Sequence, residues 1–296
     1  MSKTVNISVA GIEFCFFTKE NIELTPSDYR GFATEKAIDS ALKIEIVTRQ
    51  NIPTAYTNCT NTFVGDCRGT EMPSHRWEVG TLPDGKEYIA IDYFTEVIPF
   101  EWIRLTYDSN NGVLEVVCRN KQSASIDPYI YPLCNILISR LLKCKKSFLI
   151  HSSVVIDNGK GYLFTAVSGT GKSTMARIWQ GEGSTIVNDD MIAIRTDMEH
   201  ITAFNIPMPY YIDQQRSAQL RGIFLISQSE TNFIRPISGA KATLKLSANT
   251  ISQPSSEIAA IEHISNVSLV AQKIPIFELG FKPDNEIVSI VRNLNL

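Results

Sequence analysis

Hydrophobic positions in the first third of the chain recur mainly with a period of two. Val5, Ile7 and Val9, then Ile12, Phe14 and Phe16, alternate with other residues and predict two strands joined at Ala10-Gly11. Leu42 to Val47 predicts another strand. Trp77 to Val79 and Tyr88 to Phe94 flank Pro83-Asp84-Gly85-Lys86, whose proline and glycine favour a turn. Trp102 to Tyr107 and Val113 to Val117 flank Asp108 to Gly112, a second hairpin pattern. Asn51 to Ser74 is rich in Thr, Asn, Gly and Pro and is expected to loop over the surface. His75, Arg76 and Trp77 read as a strand end with one core tryptophan. Residues 1–127 are therefore expected to form a β-rich N-terminal domain with no catalytic constellation.

The period then changes. Leu133, Ile136, Leu137, Leu141 and Leu142 recur at helical spacing after Asp127-Pro128, and Lys143, Lys145 and Lys146 suit the helix's negative C-terminal end. This helix opens a second domain, 128–296. Ser152 to Ile156 and Tyr162 to Val167 are apolar runs separated by Asp157-Asn158-Gly159-Lys160, and Asn-Gly inside that turn predicts a hairpin. Further strands are expected at 184–188, 191–195, 200–204, 222–227, 234–237 and 274–279. Helices are expected at 173–180, 240–246, 257–266 and 285–294, and an ordered loop at Asn205 to Asp213.

Candidate chemistry is concentrated between His151 and Asp190. Ser168-Gly169-Thr170-Gly171-Lys172-Ser173-Thr174 lies between a strand-like run and a helix-like run. Glycines at 169 and 171 permit left-handed backbone angles and close approach to a ligand. Successive N–H groups of such a loop, with the start of the following helix, form an anion cradle. Lys172 supplies a compact positive charge for the β- and γ-phosphates of a nucleotide, and the Ser173 hydroxyl is placed for Mg²⁺. The stretch fits the phosphate-loop (Walker A) pattern except that its first position is Ala166 rather than glycine. Asp189 and Asp190 follow the short apolar strand 184–188 and are candidates for holding metal and accepting the nucleophile's proton. His151, taken alone, reads as a buried structural histidine. Arg216, Arg221 and Arg235 are candidates for balancing transition-state charge.

Composition narrows the field. At 296 residues the chain is long enough for two domains with ample cores, and 44% hydrophobic with 20% charged residues is a globular balance. A net charge of −3 without a basic block gives no electrostatic footprint for nucleic acid. No apolar run reaches membrane-spanning length, and residues 1–6 show no signal-peptide core, so a cytoplasmic protein is expected. Cysteines 15, 59, 67, 118, 134 and 144 form no CxxC pair and are expected to be free thiols. The oligomeric state is left open.

The stretch resembles the catalytic domain of HPr kinase/phosphorylase and the HPr-kinase-like proteins related to it. In that family a histidine begins a strand, an S-G-x-G-K-S loop follows, and a strand ending in two aspartates comes soon after. His151, Ser168 to Ser173 and Asp189-Asp190 match this order and spacing, over residues 148–195, with a weaker likeness reaching Lys273 to Leu279. The loop is also similar to that of ATP-dependent phosphoenolpyruvate carboxykinase, a fold relative. The resemblance implies a mixed-sheet α/β nucleotide-binding domain and a Mg²⁺- and ATP-dependent kinase acting on a hydroxyl, by analogy a serine of a protein or peptide. Lys172 would hold phosphate, Ser173 and one aspartate, Asp190 foremost, would hold Mg²⁺, Asp189 and Asp190 would share base and metal duties, and His151 would sit near the transferred group. A late Arg-Asn signature of the family has no counterpart after Pro275. The other readings are a catalytically silent nucleotide sensor and a carboxykinase-like small-molecule enzyme.

Overall fold

The computed structural model describes residues 3–25, 30–34, 42–66, 74–96, 98–108, 113–120, 125–127, 137–139, 142, 145–207, 216–252, 254 and 256–296. It is a mixed α/β structure with two nine-stranded sheets and few helices. The chain divides into two compact units, residues 1–137 with 253–260, and residues 138–252 with 261–296. Among the described residues no helix is long and apolar enough to cross a membrane.

In the first unit the strands are β1 (Thr4–Val9), β2 (Ile12–Phe17), β3 (Glu23–Leu24), β4 (Ala33–Thr34), β5 (Leu42–Thr48), β6 (Thr60–Asp66), β7 (His75–Thr81), β8 (Glu87–Tyr93), β9 (Phe100–Asp108), β10 (Val113–Asn120) and β11 (Ser125–Ile126). The large sheet runs β4-β1-β2-β5-β10-β9-β8-β7-β6, while β3 and β11 form a separate pair. The β1–β2 hairpin turns at Ala10 and Gly11, both at positive φ, and buries Val5, Ile7, Val9, Ile12, Phe14 and Phe16 on one face. Alternation alone had predicted that face.

Two expectations for this unit are corrected. Residues 51–74 are not all loop, because Thr60–Asp66 is an edge strand paired with β7. Its threonines are β-branched and suit a pleated surface, and Phe63 stacks on Trp77 at 4.7 Å. Trp77 is only half-buried, whereas His75 is the buried member of that triplet, at 1% exposure. Cys118 is buried, and burial pushes its thiol up to about 12. Cysteines 15, 59 and 118 are unpaired thiols. The turn 109–112, helix positions 128–136, loop positions 208–213 and cysteines 67, 134 and 144 lie outside the described residues.

The second unit contains β12 (Ser147–Asp157), β13 (Lys160–Thr165), α1 (Lys172–Gly181), β14 (Thr185–Asn188), β15 (Met191–Arg195), β16 (Thr202–Asn205), β17 (Ser217–Gln228), β18 (Phe233–Ile237), α2 (Gly239–Ser247), β19 (Thr250–Ile251), all but the first four residues of α3 (Glu257–Lys273), β20 (Ile276–Phe281) and α4 (Glu286–Arg292). Its sheet runs β13-β12-β15-β16-β17-β20-β18. A further parallel pairing of β13 with β17 closes five of these strands into a ring. The long strands β12 and β17 make closure possible, since each pairs with different neighbours along its two halves.

Alternate residues of these strands supply two cores. Val154, Leu163, Ile223 and Ile276 point into one, which Ala242 and Leu246 of α2 and Val267 and Val270 of α3 complete. Their neighbours Val155, Tyr162, Phe164, Phe224 and Phe277 point into the other, against Met175, Ala176 and Trp179 of α1 and Ile287, Val288 and Val291 of α4. This second core is aromatic, with Phe224 stacked between Phe164 and Phe277 at 5.3 Å from each. It holds α1 through Met175, Ala176 and Trp179, and Phe281 of the same core lies against Gly171 of the loop before it.

Candidate active site

The hairpin predicted at Asp157 to Lys160 forms, with Asn158 and Gly159 at φ of 49° and 77°. These angles are those of a tight two-residue hairpin turn. Its register pairs Ser152 with Thr165, which sets His151 beside the residue where β13 gives way to the loop. Thr165 Oγ1 donates to the His151 carbonyl at 2.8 Å and reinforces that neighbour relation.

From Thr165 the chain passes through buried Ala166 and exposed Val167 into Ser168 to Gly171. Gly169 and Gly171 take φ of 79° and 114°. Gly171 is the N-cap of α1 and no side chain caps that end. The first-turn N–H groups have no intrahelical acceptor, and Gly171, Lys172, Ser173 and Thr174 at that end line a cavity. A Cβ at Gly171 would come within 2.9 Å of Phe281 Cζ, so the loop also lies tight against the core. The carbonyl of Val167 accepts from Thr170 Oγ1 at 2.9 Å and from Lys172 Nζ at 3.2 Å, and Nζ also donates to Ala166 O at 3.0 Å. Lys172 is 5% exposed; burial pushes its ammonium below the ordinary lysine range and the Asp190 carboxylate partly offsets this.

Asp189 and Asp190 directly follow the strand Thr185–Asn188, as the sequence led us to expect. β14 and β15 both pair antiparallel with β12, so residues 185–195 form one interrupted strand, and Asp189-Asp190 is the interruption. Asn188 makes the break. Its Oδ1 accepts from the N–H of Asp190 at 2.8 Å and that of Met191 at 3.3 Å, and its Nδ2 donates to Asn205 Oδ1 at 2.8 Å. Asn188 is fully buried, and sequence reading passed it over as the last residue of a strand. The available signal was Asn before Asp-Asp, since Asn side chains bond the backbone two residues on.

One cavity of about 890 Å³ is lined by His151, Ser168, Gly169, Gly171, Lys172, Ser173, Thr174, Asp189 and Asp190, so every expected site residue but Thr170 reaches it. His151 Nε2 lies 3.2 Å from Asp190 Oδ1. Its side chain is partly exposed, which corrects the reading of His151 as a buried structural residue. Ser173 Oγ is 3.5 Å from the Asp189 carbonyl, at the outer limit of a hydrogen bond. Of the three arginines singled out, Arg216 lines the cavity, with an Nη1 donating to the Ile186 carbonyl. Arg221 bonds Gln219, and Arg235 lies over the Phe233 ring at 4.8 Å, so neither belongs to the site. Arg177 and Gln180 of α1 line it too, and the sequence reading had not named them. They lie four and seven residues after Ser173, a helical spacing that places all three on one face.

A second cavity of about 540 Å³ adjoins the loop through Gly171 and Thr174 and is completed by Gln228, Ser229, Glu230, Phe281 and Pro283. It lies at the C-terminal ends of the parallel strands β17 and β20, where open α/β sheets bind ligands.

No family model matches the chain, and no curated protein matches it. Among solved structures, the HPr(Ser) kinase/phosphatase from Coxiella burnetii matches over 50% of this chain and 95% of that one, at 12% identity and a TM-score of 0.31.

Proposed function

We propose that the chain is a Mg²⁺-dependent, ATP-using phosphotransferase that moves a phosphoryl group to a hydroxyl, that of a serine in a protein or peptide. The observation that carries this is the meeting of an uncapped helix start, a lysine, a seryl hydroxyl, two carboxylates and a histidine in one cavity. These are the parts phosphoryl transfer needs, because its catalysis is mostly positioning and charge balance.

The donor set fits magnesium. Among the described residues no group of three or more His, Cys, Asp or Glu could hold a metal alone. One hydroxyl and two carboxylates suit an ion that fills its shell with phosphate oxygens and waters. Ser173 and Asp190 would hold it, and it would neutralise charge on the phosphates. The Lys172 ammonium would leave the Ala166 and Val167 carbonyls for the β- and γ-phosphates. Backbone N–H groups of 169–173 would cradle the same oxygens, and the cavity beyond Thr174 would take the nucleoside. Asp189 would accept the proton of the attacking hydroxyl, with His151 assisting through its contact with Asp190.

The test is calorimetry of MgATP binding to the wild type and Lys172→Ala, followed by transfer of labelled γ-phosphate to cell-extract proteins. Binding lost in the variant together with a labelled protein is the expected result. Binding without transfer would favour a nucleotide sensor, and no binding by the wild type would remove the central claim.

A further inference from the structure

Beyond Ser173 the main cavity is also lined by Arg177 and Gln180 of α1. Ser173, Arg177 and Gln180 form a stripe along α1 that runs about 6 Å to Arg177 and about 10 Å to Gln180 at the helical rise of about 1.5 Å per residue. Arg216 lines the same cavity, with its guanidinium on the carbonyl of Ile186, another lining residue. Thr174, about 100° round the helix from Ser173, lines both this cavity and the second one. Arg177 and Arg216 thus line the main cavity and not the second one, which the reading above gives to the nucleoside.

We propose that the side of the main cavity lined by Arg177 receives the acceptor, and that the acceptor is an acidic peptide segment carrying Asp or Glu two residues from the phosphorylated serine. The proposal rests on the phosphotransferase reading above. In an extended chain residues i and i+2 share a face and lie about 6.5–7 Å apart. That matches the separation of about 6 Å between the levels of Ser173 and Arg177. A serine hydroxyl held by Asp189, at the level of Ser173, brings the side chain two residues along to the level of Arg177. Arginine's planar fork pairs with a carboxylate through two charge-assisted hydrogen bonds. Charge requires such a device, because Asp189 and Asp190 would repel an acidic segment with nothing to balance them. In the step itself the serine oxygen bonds to the γ-phosphorus and the bond from that phosphorus to the β,γ-bridging oxygen breaks. The nucleoside diphosphate leaves with the electron pair, and the hydroxyl proton goes to the Asp189 carboxylate.

The experiment offers the full chain and MgATP a set of single-serine peptides that differ only at the position two residues away, with Glu, Gln or Lys there. A charge-assisted pair of about 1.5–3 kcal/mol predicts kcat/KM for the Glu peptide about 10- to 100-fold above that for Gln, with Lys lowest. Arg177→Glu should reverse the order and make the Lys peptide best. Arg177 is exposed on α1, so the reversal is read in a folded protein. Equal use of the three peptides would overturn the acceptor assignment and leave the phosphotransferase reading standing, as would phosphorylation of a small hydroxy acid but of no peptide. Loss of MgATP binding in Arg177→Glu would reassign the arginine to the donor. No transfer from ATP to any acceptor would defeat both readings together.

Discussion

Gly171 offers the sharpest test of how the loop is built. It caps α1 at φ 114° and ψ 24°, and a Cβ there would stand 2.9 Å from Phe281 Cζ. Two costs follow for Gly171→Ala. Positive φ disfavours an L side chain by about 1–2 kcal/mol. The close approach adds about 1–2 kcal/mol, as overpacking does in a filled core. Phe281 is 2% exposed within the aromatic core, so its ring has little room to yield. The sum is about 2–4 kcal/mol. Gly169 is the internal control, since it has φ 79° but open space where a Cβ would go. Gly169→Ala should cost only the conformational share, about 1–2 kcal/mol. Urea unfolding followed by tryptophan fluorescence, with and without MgATP, measures both. If strain is relieved by moving the loop, Gly171→Ala will lose nucleotide affinity before it loses all of that stability. Equal midpoints for the two variants would refute the steric half of the argument. Wild-type nucleotide affinity in Gly171→Ala would refute the role given to the loop's N–H groups.

Three other outcomes are expected. Arg292 donates from Nε and Nη2 to buried Asp157, which also accepts from Ser184 Oγ, so Arg292→Met should cost about 2–3 kcal/mol in denaturant unfolding. Chiefly through Arg292's hydrogen bonds, Asp157 is held below the ordinary carboxylate value of 3.8; its stabilisation is present above that value and lost as pH falls through the folded-state pKa, so the variant should unfold in acid with a shallower pH dependence. Asn188→Ala removes the bonds to the N–H groups of Asp190 and Met191 and leaves buried Asn205 without that partner, costing about 1–3 kcal/mol; phosphoryl transfer should fall while MgATP affinity changes less, and unchanged turnover would show that Asn188 does not position the carboxylates. Ser152 and Ser153 are adjacent and fully buried, yet Ser153 Oγ donates to Lys172 O whereas Ser152 Oγ has no hydrogen-bond partner among the described residues. Ser153→Ala should lose about 1 kcal/mol and Ser152→Ala should be neutral or stabilising, and a loss of the same size in both would contradict this assignment.

Local rules read much of the second unit correctly. The hairpin at Asn158-Gly159 and the strand, loop and helix from Tyr162 to Gln180 depend on turn chemistry and short-range periodicity, which adjacent residues carry. Their outcome differs little from expectation: β13 spans Lys160–Thr165 and α1 spans Lys172–Gly181. What escaped the sequence depends on partners distant along the chain. β6 lies in a Thr- and Asn-rich stretch and becomes a strand because β7 offers an edge and Trp77 a stacking partner. β17 runs five residues before and one beyond its expected span because β16 pairs with its start and β20 with its end. Arg177 was not singled out, since nothing near it in sequence says which face of α1 meets the cavity. Arg221 and Arg235 looked as eligible as Arg216, and only tertiary placement separates them.

The site's geometry converges on one strand. β12 carries His151, pairs Ser152 with Thr165 just before the loop, pairs Val154 with Asn188 just before the carboxylates, and pairs His151 with Met191 just after them. The loop and the two carboxylates are distant in sequence from one another but only a strand's width from this common neighbour. Side chains alternate faces along a strand, so slipping either pairing by one residue would turn His151 or the loop to the wrong side. The two cores resist such a slip, because Val154 and Val155 point into different ones and exchanging them would bury neither correctly. Packing far from the cavity therefore sets the distance between the 168–174 loop and the Asp189-Asp190 pair. A substitution such as Val154→Asp should then abolish activity by unfolding or misregistering the strand, without touching any group that meets a substrate.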